Sequence, residues 1–326
     1  MQSEGRRAFL RGRRPPSSPW DTFCRRLRDA VSGTVTILDS GPDKHAAHLL
    51  VKKPTDAHHA RSLCAEFGVS MALDGVPAAA EHDGPVLWVR PGHEVGACRS
   101  LDAEGKRWFV QPGCLLGELE AAGLQCFAAL PAHLTVAAWL ADRQLCNWAA
   151  GHTAASGIVH ASALLGDGVS VDLGAFGADN RKPLDSLRLQ KLIPELFRLS
   201  TSDDARVCSE WRIWPGRYRL DALMPAPGST LNLAHLLLGH GGDLGWVEWV
   251  VIDKDLADPA SGEALPLELP GLEGDMESDD GWNEMSGSGP CEAVNTARAA
   301  QELDAAIKQL FDPDGVLPHP GQSLYG

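Results

Sequence analysis

Two short apolar runs, His48–Lys52 and Val69–Leu73, flank a helical stretch that Pro54-Thr55-Asp56 opens and Gly68 closes. Within it, Ala60, Leu63 and Phe67 recur at helical steps. Strands joined through a helix of ~12 residues run parallel, because an antiparallel pair needs only a tight turn. A parallel pair in turn needs helices to cover its sheet. This β-α-β unit constrains the chain more than any other local feature, and it predicts a fold of mixed helices and sheet.

Further elements follow the same reading. Residues 21–31 predict a short helix capped by Asp21 or Thr22, and Thr34–Leu38 alternates as a strand. Strands are expected at 85–89, at 107–111 and at 169–173, the last after the Gly166-Asp167-Gly168 turn. Leu115–Ala122 predicts a helix stopped by Gly123, and the apolar, Ala-rich stretch 133–148 predicts another. Leu187–Leu199 and Leu231–Leu238 carry helical periodicity, and Trp246–Ile252 reads as a buried strand. Ala300, Leu303, Ile307 and Leu310 predict a C-terminal helix within 293–311, stopped by Asp312-Pro313-Asp314-Gly315. There is no internal repeat, and 178–216 carries no motif.

Charge narrows the partners. The chain has 326 residues and a net charge of −14, which argues against nucleic acid as the main partner. No apolar run approaches the ~20 residues of a membrane-spanning helix. The charge is also uneven. Residues 1–28 hold eight Arg against two acids, and 253–292 hold twelve acids against Lys254 alone. The first stretch reads as a basic arm able to dock a partner through Arg6, Arg7, Arg11, Arg13 and Arg14. Arg6-Arg7-Ala8-Phe9-Leu10-Arg11 resembles a twin-arginine export signal, but Arg13-Arg14-Pro15-Pro16 stands where its apolar region belongs. The second stretch, rich in Asp, Glu, Gly, Pro and Ser, reads as a long irregular loop.

Eight cysteines are present, none spaced C-x-x-C, so no zinc knuckle or iron–sulfur run is expected. Several sit in apolar stretches and read as reduced core thiols of a cytoplasmic protein. Adjacent His58 and His59 point about 100° apart on a helix and cannot share a metal on one face. His133, His152 and His160 lack ligand spacing, and no G-x-S-x-G frame surrounds Ser156 or Ser170. The tryptophans read first as core residues.

The order of the remaining motifs is more informative than any one of them. Asp74-Gly75-Val76-Pro77 follows the β-α-β unit, then Val110-Gln111-Pro112-Gly113 opens a helix, then Pro131 precedes Thr135-Val136-Ala137-Ala138. Later come Tyr218-Arg219-Leu220-Asp221-Ala222-Leu223 and Gly239-His240-Gly241-Gly242-Asp243-Leu244-Gly245. The end reads Lys308-Gln309-Leu310-Phe311-Asp312-Pro313-Asp314-Gly315-Val316-Leu317-Pro318-His319-Pro320-Gly321. This series resembles the FAD-linked oxidases of the vanillyl-alcohol-oxidase (PCMH) type, in the branch of D-lactate dehydrogenase and glycolate oxidase FAD subunits. The resemblance covers 50–252 and 296–321.

The resemblance implies an α+β, PCMH-type FAD-binding fold of two α/β subdomains over 33–252. It is preceded by the arm and short helix of 1–32 and followed by the acidic loop 253–292. A helix and tail, 293–326, would pack back on the FAD domain. It implies non-covalently bound FAD, with a pyrophosphate held by backbone amides at small residues. The positions carried over are Asp74, Gly75, Val76 and Pro77; Pro112 and Gly113; and Pro131, Thr135, Val136, Ala137, Ala138 and Ala141. Gly151, Gly157 and Ile158 follow, and then Gly239, Gly242 and Leu244. The implied activity is a flavoprotein oxidoreductase subunit that takes electrons from a small 2-hydroxy acid. It would pass them to an iron–sulfur or quinone-linked partner subunit.

Several residues depart from the family pattern. Pro77 removes an amide donor and Asp74 adds a negative charge where phosphate is expected. Ala137-Ala138 replaces Gly-Gly, and the 239–245 loop lacks the acidic third residue. The substrate domain that normally follows the FAD domain is almost wholly missing, and no Arg–His pair for a carboxylate substrate is visible, so catalytic residues stay unassigned. Two other readings therefore stand beside the first. One is a non-catalytic, degenerate relative acting as an assembly or binding subunit. The other is a stand-alone oxidase whose site is completed by 253–292.

Overall fold

The computed structural model describes residues 18–39, 45–76, 84–176, 186–258 and 290–319. Pro77, most of the basic arm and most of the acidic segment lie outside these residues. The described chain forms two α+β lobes, each built on its own sheet.

The first lobe holds a four-stranded sheet. Its strands are β1 (Thr34–Asp39), β2 (His45–Val51), β3 (Ser70–Leu73) and β4 (Val86–Pro91), in the order β1-β2-β4-β3. β2, β4 and β3 run parallel and β1 is antiparallel at the edge. Helix α1 (Pro19–Ala30) and helix α2 (Pro54–Phe67) cover the sheet. α2 is the crossover that the β-α-β reading requires, and it stops where Gly68 takes a left-handed φ of 64°. Phe23, Leu27, Ala57, Ala60 and Leu63 pack on Leu49, Val51, Leu87 and Val89 to form this lobe's core.

The second lobe holds an antiparallel five-stranded sheet. Its strands are β5 (Cys98–Ser100), β6 (Arg107–Val110), β7 (Ile158–Leu164), β8 (Ser170–Gly174) and β9 (Trp246–Asp253), in the order β5-β6-β9-β7-β8. Around it lie α3 (Leu116–Ala121), α4 (Val136–Ala141), α5 (Leu187–Ser200), α6 (Asp203–Ser209) and α7 (Pro290–Phe311). The near-continuous apolar run of β9 is explained by its position between β6 and β7. No helix among the described residues is long and apolar enough to cross a membrane.

Four expectations are corrected. α1 starts earlier than 21, because Ser18 accepts the Asp21 amide at 3.0 Å while the Asp21 carboxylate accepts the Ser18 amide at 3.1 Å. The helix expected over 133–148 is only Val136–Ala141. Thr135 caps its start, and at its end the Gly239 and Gly241 amides take the Leu140 and Ala141 carbonyls. The helix expected over 231–238 is a tight 3₁₀ segment, Leu233–Leu237. Strand β7 was not anticipated. Its Ile-Val-His-Ala-Ser-Ala-Leu sequence shows no period-two pattern, because two register shifts break the alternation and its last four residues are all buried.

Leu87 is fully buried at the centre of the first sheet, whereas Ile37 on edge strand β1 is 41% exposed. Leu87→Ala is expected to lower unfolding free energy by about 2–5 kcal/mol in urea titration. Ile37→Ala is expected to stay within about 0.5 kcal/mol of the parent protein. Equal effects would contradict the layered core described here.

Candidate functional site

The resemblance places a dinucleotide between the lobes, so the seam between them is the candidate site. Direct bonds cross it at several points. From α2, His58 Nε2 meets Glu248 Oε1 at 2.7 Å, and the other oxygen of Glu248 accepts from Ser162 Oγ at 3.0 Å. Also from α2, Arg61 Nε donates to the Gly166 carbonyl at 2.7 Å. From β3, the Met71 amide donates to the Val316 carbonyl at 2.8 Å. Leu164 and Trp246 of the second lobe, with Val316 and Leu317 after α7, are buried members of the first lobe's core.

Between these links lies a cavity of about 10 Å³, lined by Met71, Leu73, Ala137, His240, Gly242, Trp246 and Leu317. That volume holds roughly one water molecule. The glycines explain how the seam closes. A Cβ on Gly242, which has φ 82°, would stand 2.7 Å from the Leu73 Cβ. A Cβ on Gly239 would stand 2.8 Å from the Arg143 Cα. These small residues let chain approach chain, which is one of glycine's two uses; the other is approach to a ligand.

The residues carried over from the family pattern form three groups. The first lies around α3 and α4, where protein carbonyls already take most of the amides. Gly113 donates to Val95 at 2.9 Å, Val136 to Cys114 at 2.9 Å, and Ala137 to the Pro112 carbonyl at 3.0 Å. The Ala138 amide bonds Thr135 Oγ1 at 3.2 Å, the Pro131 carbonyl accepts from Leu134, and the Ala141 carbonyl accepts from Gly241.

The second group lies within the second lobe. Gly151 donates to Asp221 Oδ2 at 2.9 Å, the Gly157 carbonyl accepts from Asp253, and the Ile158 carbonyl accepts from Asn232 and His235. Leu244 is fully buried in the second core.

The third group is at the end of β3. The Asp74 amide bonds Val89, and its carboxylate lies 3.4 Å from His48 Nδ1. Gly75 has φ 87°, and a Cβ there would meet no atom of the described residues within 4 Å. Among the described residues, the amides of Gly75, Val76 and Gly242 have no protein acceptor.

Sequence reasoning missed a buried ionic network beside the seam. Arg217 Nη2 meets Asp243 Oδ2 at 2.5 Å. Lys308 Nζ donates to Asp312 Oδ2 at 2.6 Å and to the Asp243 carbonyl at 2.8 Å. Asp312 also accepts the Val316 and Leu317 amides at 3.0 and 2.9 Å. Asp304 accepts the Arg217 and Tyr218 amides at 2.8 and 3.1 Å. Nearby, Arg219 holds Asp221 through two hydrogen bonds, at 2.8 and 2.6 Å.

Burial pushes the Asp243 carboxyl up, against the pull of Arg217 and Lys308. Burial also pushes Asp304 up to about 6. For Asp221 burial acts upward too, but the Arg219 charge and hydrogen bonds outweigh it and the carboxyl is lowered. The motif segments Tyr218–Leu223 and Gly239–Gly245, with Lys308 and Asp312 of the closing segment, thus supply part of a buried electrostatic frame. The paired Arg–Asp spacing within the first was the signal available in sequence.

His240 differs from its neighbours. It is 1% exposed, lines the cavity, and neither ring nitrogen has a hydrogen-bond partner. Burial, with Arg217 nearby, lowers it to about 3. His235 is equally buried but satisfied by Thr153 Oγ1 at 3.0 Å and the Ile158 carbonyl at 2.8 Å, and burial lowers it to about 4. Among the described residues no cluster of three or more His, Cys, Asp or Glu converges.

FAD and this seam do not fit as the described residues stand. A dinucleotide needs a trough hundreds of Å³ in size with free donors along it. Here the lobes meet directly, and most of the expected amides are paired within the protein.

No protein-family profile matches the chain, and no curated protein does. Among solved structures, a variant of Physcomitrella patens BBE-like 1 aligns over 71% of this chain and 44% of its own, with TM-score 0.41 and 10% identity. A 6-hydroxy-D-nicotine oxidase from Arthrobacter nicotinovorans aligns over 73% of this chain and 40% of its own, with TM-score 0.36 and 12% identity. The chain therefore spans less than half the length of either protein.

The buried histidines set a pH dependence. Both have folded values below the ordinary 6.5, so the unfolded chain takes up their protons first and stability falls as pH drops from 6.5 toward 4. Asp304 acts oppositely, since its folded value near 6 exceeds 3.8. Each imidazole contributes a loss of roughly 1 kcal/mol per pH unit near pH 5, which Asp304 and the likewise raised Asp243 partly offset. Urea unfolding at a series of pH values should show that slope, and His240→Leu should flatten it. An unchanged slope in the variant would contradict the assignment.

Proposed function

We propose that this chain is a flavin-free relative of the FAD-linked oxidases, acting as an assembly or binding subunit. The observation that supports this reading is the seam itself. Leu73 packs against Gly242, His58, Arg61 and Met71 bond across the lobes, and the cavity lined by Met71, Ala137, His240 and Leu317 is about 10 Å³. The partner proposed is the iron–sulfur or quinone-linked subunit that the resemblance implies.

A second reading keeps the FAD oxidoreductase subunit, with electrons taken from a 2-hydroxy acid. What favours it is the set of amides at Gly75, Val76 and Gly242 without a protein acceptor, beside an unpaired His240. On that reading the flavin would supply the hydride acceptor, and those amides would face its phosphates. Leu73 and Gly242 would have to separate to admit it.

The purified full-length chain, titrated with FAD, decides between them. The first reading expects a colourless protein that neither quenches flavin fluorescence nor gains thermal stability from FAD. A yellow protein, or saturable FAD uptake at micromolar concentration, would overturn it and support the second.

A further inference from the structure

The seam cavity gathers one imidazole, one thioether and one indole. His240 comes from the 239–245 loop, Met71 from β3 of the first lobe and Trp246 from the start of β9. All three line the same space of about 10 Å³, and all three are buried. Among the described residues the rest of the lining is aliphatic or glycine, with no carboxylate.

Backbone bonds hold His240 in place on both sides. The Gly239 amide donates to the Leu140 carbonyl at 2.7 Å and the Gly241 amide to the Ala141 carbonyl at 2.9 Å. The Asp243 amide donates to the His240 carbonyl at 3.0 Å. Met71 is fixed by its own bond to Val316 across the lobes. Neither ring nitrogen of His240 has a protein partner. An unpaired polar group at that depth is costly, and a ligand that accepts the imidazole lone pair relieves the cost.

We propose that this cavity is a site for a soft monovalent metal ion, Cu(I), held by a ring nitrogen of His240 and the thioether of Met71, with the Trp246 indole beside it. The donor set selects the class. Thioether sulfur is a soft ligand that favours Cu(I), and imidazole also suits copper. Mg²⁺ and Ca²⁺ need several oxygen ligands, and structural Zn²⁺ needs a tetrahedral set of thiolates, imidazoles or carboxylates. The lining offers neither set. Cu(I) accepts few donors, so an ion fits where roughly one water molecule would. An indole attracts a cation to its face. The cost of taking an ion out of water grows with the square of its charge, which favours a single charge in an apolar seam.

Burial keeps the His240 imidazole neutral, so no proton competes for its lone pair. Arg217, whose charge acts on the same ring, is paired with Asp243 at 2.5 Å. Binding is coordination alone: two lone pairs are donated to the metal and nothing is oxidised or reduced. The ion would tie β3 of the first lobe to the loop and β9 of the second. The site rests on the flavin-free reading, because a dinucleotide in the seam would part Met71 from His240.

The test uses the full-length protein, with silver(I) as a redox-inert stand-in for Cu(I), in chloride-free buffer. Accessible thiols, Cys98 and Cys126 among them, are first blocked with iodoacetamide under native conditions. Silver nitrate should then bind at one equivalent, and anomalous scattering from silver-soaked crystals should place the ion between His240 and Met71. Met71→Leu conserves volume and removes the sulfur, and His240→Leu removes the imidazole; each should weaken silver binding at least about tenfold. Thermal melting without silver checks that both variants fold. Silver found only at cysteines, or bound as tightly by Met71→Leu as by the parent protein, overturns the proposal. A chain that takes up neither FAD nor silver at His240 overturns the site and leaves the flavin-free reading standing. FAD uptake overturns that reading and, with it, the site.

Discussion

The Lys308 ammonium anchors the C-terminal segment that runs from α7 back to the first lobe. It sits on α7, is nearly buried, and is shared by the Asp312 carboxylate and the Asp243 and Leu317 carbonyls. Asp312 in turn takes the Val316 and Leu317 amides, which shapes the turn that returns the chain to β3. That turn brings the Val316 carbonyl to the Met71 amide and places Val316 and Leu317 in the first core. A buried ion pair of this kind contributes little net stability against an apolar substitute, but removing one partner strands the other charge. Its role here is to fix an arrangement.

That arrangement changes the meaning of the glycines. Read as sequence, Gly239, Gly241 and Gly242 signal a backbone that something approaches closely. In the structure the approaching groups are protein: Arg143 at Gly239, Arg217 at Gly241 and Leu73 at Gly242. The amides around α3 and α4 tell the same story, since their acceptors are the carbonyls of Val95, Cys114 and Pro112. A frame that resembles a cofactor cradle thus spends its donors internally. Among the described residues, the amides at Gly75, Val76 and Gly242, the two nitrogens of His240 and Nε of Arg217 keep unsatisfied capacity at or beside the seam.

The parts of the fold legible in sequence were those with a strong local period or a backbone stop. α2 with its Gly68 cap, β9 with its apolar run and α7 with its three-and-four spacing all follow local rules. β7 escaped because tertiary pairing with β8 and β9, interrupted by two register shifts, replaces alternation as its organising pattern. The over-long helix expected at 133–148 shows the same limit. Its apolar composition was real, but its C-terminal carbonyls are taken by a loop a hundred residues further along the chain. At the site, residue types and order were legible. Which neighbour satisfies each amide was not, because those partners are distant in sequence.

Hydrogen exchange at the Met71 amide tests the closed seam most directly, because its acceptor is the Val316 carbonyl across the lobes. The account predicts exchange as slow as that of the buried β4 core in the free protein, with no change on adding FAD. Fast exchange in the free protein, slowed only when FAD is present, would contradict it and show that the seam is a cofactor trough.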